Sequence, residues 1–210
     1  MVAEALTFDS LVTDIQTYAE RSDEPFITQT PRLIMLAENR IASEVRGLGY
    51  IKFVNGTLSI NSSTIDKPVR HRETISLSIV DGSNRVTLTK RYYEYCRSFW
   101  PNTSLTDVPR YYSDYDYEHL FIVPTPNAAF QFELSYYERP EPLSTTNQTN
   151  WTTQYAPQVL LYATLLEAQP FLKLGDRVAE FKGLYDQAVQ SLLKESIRRL
   201  TDQSAQRTEG

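Results

Sequence analysis

Cysteine is nearly absent: Cys96 is the only one in 210 residues, which excludes an intrachain disulfide and any zinc site built on cysteine pairs. Glycine is scarce, at seven residues. There is no dinucleotide fingerprint, no glycine-rich phosphate loop, no nucleophile elbow and no zincin-type histidine pair. Basic charge is not in excess: 21 Lys and Arg stand against 26 Asp and Glu, a net charge of −5. That argues against a protein that works by neutralising phosphates. No stretch approaches the ~18 consecutive apolar residues of a membrane-spanning helix. Met1-Val2-Ala3-Glu4 has no basic region and no apolar run behind it, so no signal peptide is expected. The Asn-x-Ser/Thr triplets at Asn55, Asn61, Asn102, Asn147 and Asn150 are then read as chance rather than glycan sites. What is present is ordinary for a folded domain, with 41% hydrophobic and 22% charged residues, enough to bury a core.

The residues that could carry chemistry are few. The histidines are His71 and His119; either beside Cys96 would make a nucleophile–base pair, but each has charged neighbours and structural roles are expected. Glu133 and Glu138 lie five positions apart on one expected strand and so face opposite ways. Asp114, Asp116 and Glu118 alternate and could share a face. A solvated strand edge is the expectation there and a cation site the alternative. No enzyme activity and no cofactor are expected.

Periodicity divides the chain in three. Phe8, Leu11, Val12, Ile15, Tyr18 and Ala19 fall on one helical face, with Thr7 as cap and Asp9 in the first turn. A second helix is expected to open at Thr30-Pro31, with Ile34, Ala37, Ile41, Val45 and Leu48 as its stripe and Gly47 and Gly49 at its exit. From 51 the pattern turns to strands. Ile51–Val54, Asn55-Gly56 and Thr57–Ile60 read as a hairpin. Thr74–Val80, the turn 81–84 and Arg85–Leu88 read as another, with strict alternation over Thr74–Ile79. A short helix near 90–99 is followed by expected strands at 109–113, 118–124 and 128–138, the last two joined by a turn at Pro124-Thr125-Pro126-Asn127. Helices return with Asn150 as a cap near Trp151. Pro157 opens a helix with Val159, Leu160, Ala163, Leu166 and Ala168 inside, which Pro170 should end or kink. Gly175-Asp176 starts the last helix, with Val178, Phe181, Tyr185, Ala188 and Leu192 in register. The expected fold is α+β: an antiparallel helical bundle formed by the helix pairs of 1–50 and 144–200, with an inserted antiparallel β-rich domain at 51–143 and an extended tail at 201–210.

Tyrosine is the residue in excess. Nine of the 14 lie between Tyr92 and Tyr137, in the clusters Tyr92-Tyr93-Glu94-Tyr95, Tyr111-Tyr112, Tyr115-Asp116-Tyr117 and Tyr136-Tyr137. On a strand, one of each adjacent pair faces the core and the other the surface. Tyrosine suits protein interfaces. It also suits stacking of single-stranded nucleic acid, the alternative function, but that needs a basic groove. Residues 51–150 carry ten basic and eleven acidic side chains.

Four segments together carry a resemblance: "LIMLAENRIASEVRGLG" at 33–49, "VPRYYSDYDYEHLFIVPTPNAAFQFELSYYERPEPLS" at 108–144, "TNWTTQYAPQVLLYATLLEAQPFL" at 149–172, and "YDQAVQSLL" in the last helix. In this order and spacing the chain resembles the head-to-tail adaptor (connector) proteins of short-tailed bacteriophages. The segment 61–107 is the least diagnostic.

The resemblance implies a structural virion protein with no catalytic residues, assembled in the host cytoplasm and located in the neck between head and tail. It implies a ring of about twelve copies, joined by a heterologous interface whose rotation closes. Implied partners are the portal protein, the tail nozzle and tail-fibre proteins. Genome DNA would pass through the ring without specific binding, which the acidic balance suits. The expected portal interface is Leu192, Leu193, Ile197 and Leu200, an apolar stripe beyond what a compact bundle needs, with Arg198, Arg199 and Arg207. The end of this helix and the tail are expected to become ordered on the portal. The expected tail interface is Tyr111, Tyr112, Tyr115 and Tyr117.

Overall fold

The computed structural model describes residues 6–172 and 178–200. The fold is α+β, with six α-helices and a curled, mostly antiparallel sheet among the described residues. The chain divides into two compact units, one made of residues up to Tyr50 and from Arg139 onward, the other of Ile51–Glu138.

The helical unit opens with α1, Phe8–Ala19. Thr7 caps it: its hydroxyl accepts the Ser10 N–H at 3.1 Å, and the Ser10 hydroxyl accepts the Thr7 N–H at 2.9 Å. Two orphan amides of the helix start are thereby satisfied. Phe8, Leu11, Ile15 and Ala19 are buried, whereas Tyr18 lies off the stripe, half exposed. The second helix, α2, is Glu24–Glu44 and begins a turn and a half before Thr30-Pro31. The proline in its first turn is Pro25; Pro31 lies inside the helix. Pro31 has no N–H to give to the carbonyl four residues back. Beside it, the buried Thr30 hydroxyl donates to the Phe26 carbonyl at 2.8 Å.

Gly47 and Gly49 do not end α2, whose C-terminal flank is the extended Val45. Gly49 instead lies in a short 3-10 turn, Leu48–Tyr50, pressed against an indole. A Cβ there would sit 1.8 Å from the Trp151 ring. Trp151 starts α4, Trp151–Tyr155, capped by Asn150, whose side chain accepts the Thr152 and Thr153 amides. The longer α5, Pro157–Leu172, follows directly. It packs against α1, α2 and α4, which explains why its buried residues are not confined to one stripe. Leu165 rather than Leu166 is buried, and Pro170 lies inside the helix without ending it. The last helix, α6, is Val178–Leu200 and packs on α5 through Phe181, Tyr185 and Leu192. The expected start at Gly175-Asp176 lies outside the described residues.

The β unit contains β1 (Ile51–Thr57), β2 (Thr64–Asp66), β3 (His71–Asp81), β4 (Asn84–Lys90), the short α3 (Tyr93–Phe99), β5 (Thr106–Asp107), β6 (Tyr111–Asp114), β7 (His119–Val123), β8 (Thr125–Pro126) and β9 (Gln131–Glu138). Seven strands form one sheet in the order β1-β9-β3-β4-β6-β7-β2, and β5 pairs with β8. Within the seven-stranded sheet only β4–β6 is parallel. The core beneath it includes Leu58, Leu77, Ile79, Tyr112, Leu120, Ile122, Leu134 and Tyr136.

Three sequence expectations need correction here. Asn55-Gly56 is not a turn: both lie inside β1, opposite Glu133 and Phe132 of β9. Gly56 is there because a Cβ would come within 2.7 Å of the Phe132 ring. The alternation over Thr74–Ile79 is broken by a bulge in the β3–β9 pairing between Thr74 and Ser76. One extra residue reverses the faces, so Ile75 is 42% exposed while Leu77 and Ile79 are buried. Finally, 124–127 does not join two neighbouring strands, because β7 pairs with β6 and β2 while β9 pairs with β1 and β3. Thr125–Pro126 runs instead as β8 alongside Thr106–Asp107.

Candidate docking surfaces

Among the described residues, the titratable groups singled out from the sequence are held in structural contacts. Cys96 is fully buried beneath Phe121 and Val123, and burial pushes its thiol up from the ordinary value, away from the reactive thiolate. His71 bonds to the Thr74 hydroxyl at 2.9 Å and stacks on Tyr136, and burial pushes its pKa down. His119 is held by Asp116 at 2.8 Å, a hydrogen bond that raises its pKa. Asp114 accepts from Lys67 at 2.9 Å and Lys90 at 2.7 Å. Burial alone would raise its pKa, but the two ammonium groups outweigh it and hold the carboxyl low. Asp114 therefore ties β6 to β4 and to the segment after β2. No group of His, Cys, Asp or Glu suited to a metal occurs among the described residues. Glu133 and Glu138 are engaged by Arg85 and Arg70.

The tyrosines separate by burial. Tyr112 is 3% exposed and lies in the β core, where burial pushes its phenol up to about 12. This removes it from the surface open to a partner, as adjacent strand residues require. Tyr111 is half-buried on the other face, beneath α3. Tyr115 and Tyr117 are exposed, at 49% and 80%.

Around Tyr111 the structure gathers residues that sequence reasoning did not single out. Tyr95 and Phe99, one helical turn apart on α3, stack with ring centroids 6.3 Å apart and planes 6° from parallel. Tyr111 meets both edge-on, at 5.5 and 4.9 Å. The Arg91 guanidinium lies 5.5 Å from the Tyr95 centroid and 6.0 Å from that of Tyr111. The signal available in sequence was the i, i+4 spacing of Arg91, Tyr95 and Phe99.

In the helical unit, the expected portal residues also separate. Leu192 is 8% exposed and packs inward, Leu193 is half-buried, and Ile197 is 61% exposed beside exposed Arg198 and Arg199. After Leu192 the buried stripe continues through Ser196 rather than Ile197, which leaves Ile197 outward. The side chain of Leu200, and all of Arg207 with the 201–210 tail, lie outside the described residues. A groove of about 370 Å³ runs along this part of α6, lined by Gly49, Trp151, Tyr155, Leu192, Glu195, Ser196 and Arg199. Its wall is the stacked pair of Trp151 and Tyr155, 5.7 Å apart.

Exposed aromatics and arginine are the residue types enriched at protein interfaces. The family model described as SU10 adaptor protein matches residues 6–208. The chain belongs to that family. The resemblance to phage head-to-tail adaptors read from four sequence segments is thereby established across nearly the whole chain. It is a phage structural adaptor, and its place is the virion. No curated protein matches the sequence. Among the described residues no helix is long and apolar enough to cross a membrane.

Proposed function

We propose that this adaptor joins the portal to the tail nozzle of a short-tailed phage, as a ring of about twelve copies lining the DNA channel. The family match over residues 6–208 carries the reading. In it, the N- and C-terminal helix pairs act as one antiparallel bundle, the segment 51–143 is the inserted docking domain, and 201–210 is an extended tail. The portal-facing elements are Leu193, Ile197, Arg198, Arg199, Leu200 and Arg207. Ile197 supports this, being an exposed apolar side chain flanked by two arginines. An amphipathic helix of this kind seats its apolar side chains in a groove, while the arginines pair with acidic portal residues. The tail-facing elements are Tyr111, Tyr115 and Tyr117; the exposure of the last two supports that role. Tail-fibre proteins are further partners on that side. The protein has no catalytic task, DNA passes without specific binding, and the ring is assembled in the host cytoplasm.

Deleting residues 194–210 tests the portal assignment. The shortened chain should keep the far-ultraviolet circular dichroism of a folded protein and fail to sediment with portal-bearing heads. Sedimentation equal to that of the full chain would move head attachment to another surface.

A further inference from the structure

Several arginines are engaged within the chain. Arg21, Arg40, Arg70, Arg85 and Arg199 each hold a carboxylate of this chain. Arg91 has no carboxylate within ion-pair distance among the described residues; its guanidinium rests against the rings of Tyr95 and Tyr111. Its backbone is fixed to the sheet, the N–H donating to the Tyr112 carbonyl at 2.8 Å. The Arg91 side chain is exposed beside these rings, and a guanidinium carries a planar N–H fork whose geometry matches a carboxylate. The surroundings are apolar and accessible: Tyr95 is 43% and Phe99 39% exposed. A hydrogen bond to Tyr111 raises the Tyr95 phenol above its ordinary value.

We infer that this α3 face is a receptor for one carboxylate side chain of a partner protein, gripped by Arg91 and flanked by Tyr95, Phe99 and Tyr111. The inference rests on the adaptor reading and specifies the chemistry of its contact with another virion protein. The balance of charge favours a carboxylate over a nucleic-acid backbone. A phosphate backbone needs several cations in a row. Here Glu94 lies on the same short helix, Arg97 projects from the other side of α3, two positions from Tyr95, and residues 51–138 carry nine basic against ten acidic side chains. A single exposed guanidinium beside aromatic rings is the composition of a protein hot spot.

The test uses the full chain, as wild type, Arg91→Glu and Arg91→Gln, added to portal-bearing heads that lack the adaptor, followed by tails of the same phage. Adaptor on heads and tails on heads are counted separately. Arg91 is exposed, so both variants should bind heads like the wild type. Tail retention should fall about tenfold or more with Arg91→Glu, and by a smaller factor with Arg91→Gln. Suppressors selected against Arg91→Glu should replace an Asp or Glu of another virion protein by Lys or Arg. Failure of the wild type to bind heads would defeat the adaptor reading itself. Arg91→Glu on heads with normal tail retention would overturn the receptor, as would suppressors confined to this chain. If Arg91→Glu keeps its tails but loses binding to a fluorescent oligothymidylate that the wild type binds, the face is a nucleic-acid site and the inference fails. Should Arg91→Glu not fold, Arg91→Gln with undiminished tail retention overturns it equally.

Discussion

The two units of this adaptor are closed by different means. The helical unit joins distant stretches of chain through polar clamps. Glu38 of α2 accepts the Leu143 N–H at 3.1 Å and the Asn150 amide at 2.7 Å. Arg40 bonds to Glu167 at 2.6 Å, and the Tyr185 hydroxyl donates to Glu44 at 2.7 Å. The β unit is one continuous stretch, Ile51–Glu138, closed by ladders between strands and by the Lys67–Asp114–Lys90 knot. One unit therefore depends on both ends of the chain, whereas the other carries its whole core in sequence.

The largest expected effect follows from that asymmetry. A chain ending at Pro140 loses α5, on which both α1 and α2 pack. Six buried side chains, Phe8, Leu11, Ile15, Ile34, Ala37 and Ile41, lose cover, at a cost of roughly 1.5–3 kcal/mol for each large one exposed. Residues 1–140 should therefore show no cooperative melting of their helices by circular dichroism. A fragment spanning 51–138 should melt cooperatively. A helical 1–140 chain with a sharp transition would break the comparison.

Next comes Glu38. Burial is the main cause that raises its pKa from the ordinary 4.5 to about 7, and the Leu143 and Asn150 hydrogen bonds only partly oppose it. Between those values the folded state holds a proton that the unfolded chain has lost. Stability therefore falls as pH rises from 4.5 to 7 and levels off above, by up to on the order of 3 kcal/mol. Denaturant midpoints at pH 5 and pH 8 should differ more for the wild type than for Glu38→Gln. Equal differences in the two proteins would contradict the assignment. Because Glu38 belongs to the helical unit, the isolated 51–138 fragment should lack this component.

A smaller contrast separates two glycines. Gly49→Ala drives a methyl group into an indole that is already packed on Tyr50 at 4.9 Å and on Tyr155 at 5.7 Å. The cost should be at the upper end of ~1–3 kcal/mol. Gly56→Ala meets only the Phe132 ring, half-buried opposite the edge strand β1. That ring can turn aside, so about 1 kcal/mol or less is expected. Urea unfolding of the two variants gives the ranking; a larger loss for Gly56→Ala would reverse it.

Local chemistry was the legible part of the sequence. Thr7 and Asn150 both cap helices, because a side-chain oxygen at that position satisfies amides only a few residues away. The α+β class followed from the change of period near residue 51. What could not be read depended on distant chain. Asn55-Gly56 has the chemistry of a turn, yet Phe132, far along the sequence, made it strand. Pro25 and Pro31 both suit a helix start, and the choice between them depended on tertiary burial of Phe26 and Thr30. Ile75 fits the alternation, but a bulge against β9 reversed it. The arginine–aromatic face was not legible in the runs of consecutive tyrosines, because it is built on the four-residue spacing of Arg91, Tyr95 and Phe99 and completed by Tyr111 from β6. Of the expected interface residues, Tyr112 and Leu192 proved to be core, since periodicity alone does not tell which face a partner element already covers.

The central proposal is that this chain is the ring-forming link between portal and tail. The most direct measurement is electron microscopy of portal-bearing heads mixed with the purified full-length protein. The account predicts a closed ring of density at the portal vertex, in contact with the portal. Heads that stay bare at saturating protein, or protein bound away from the portal vertex, would contradict it.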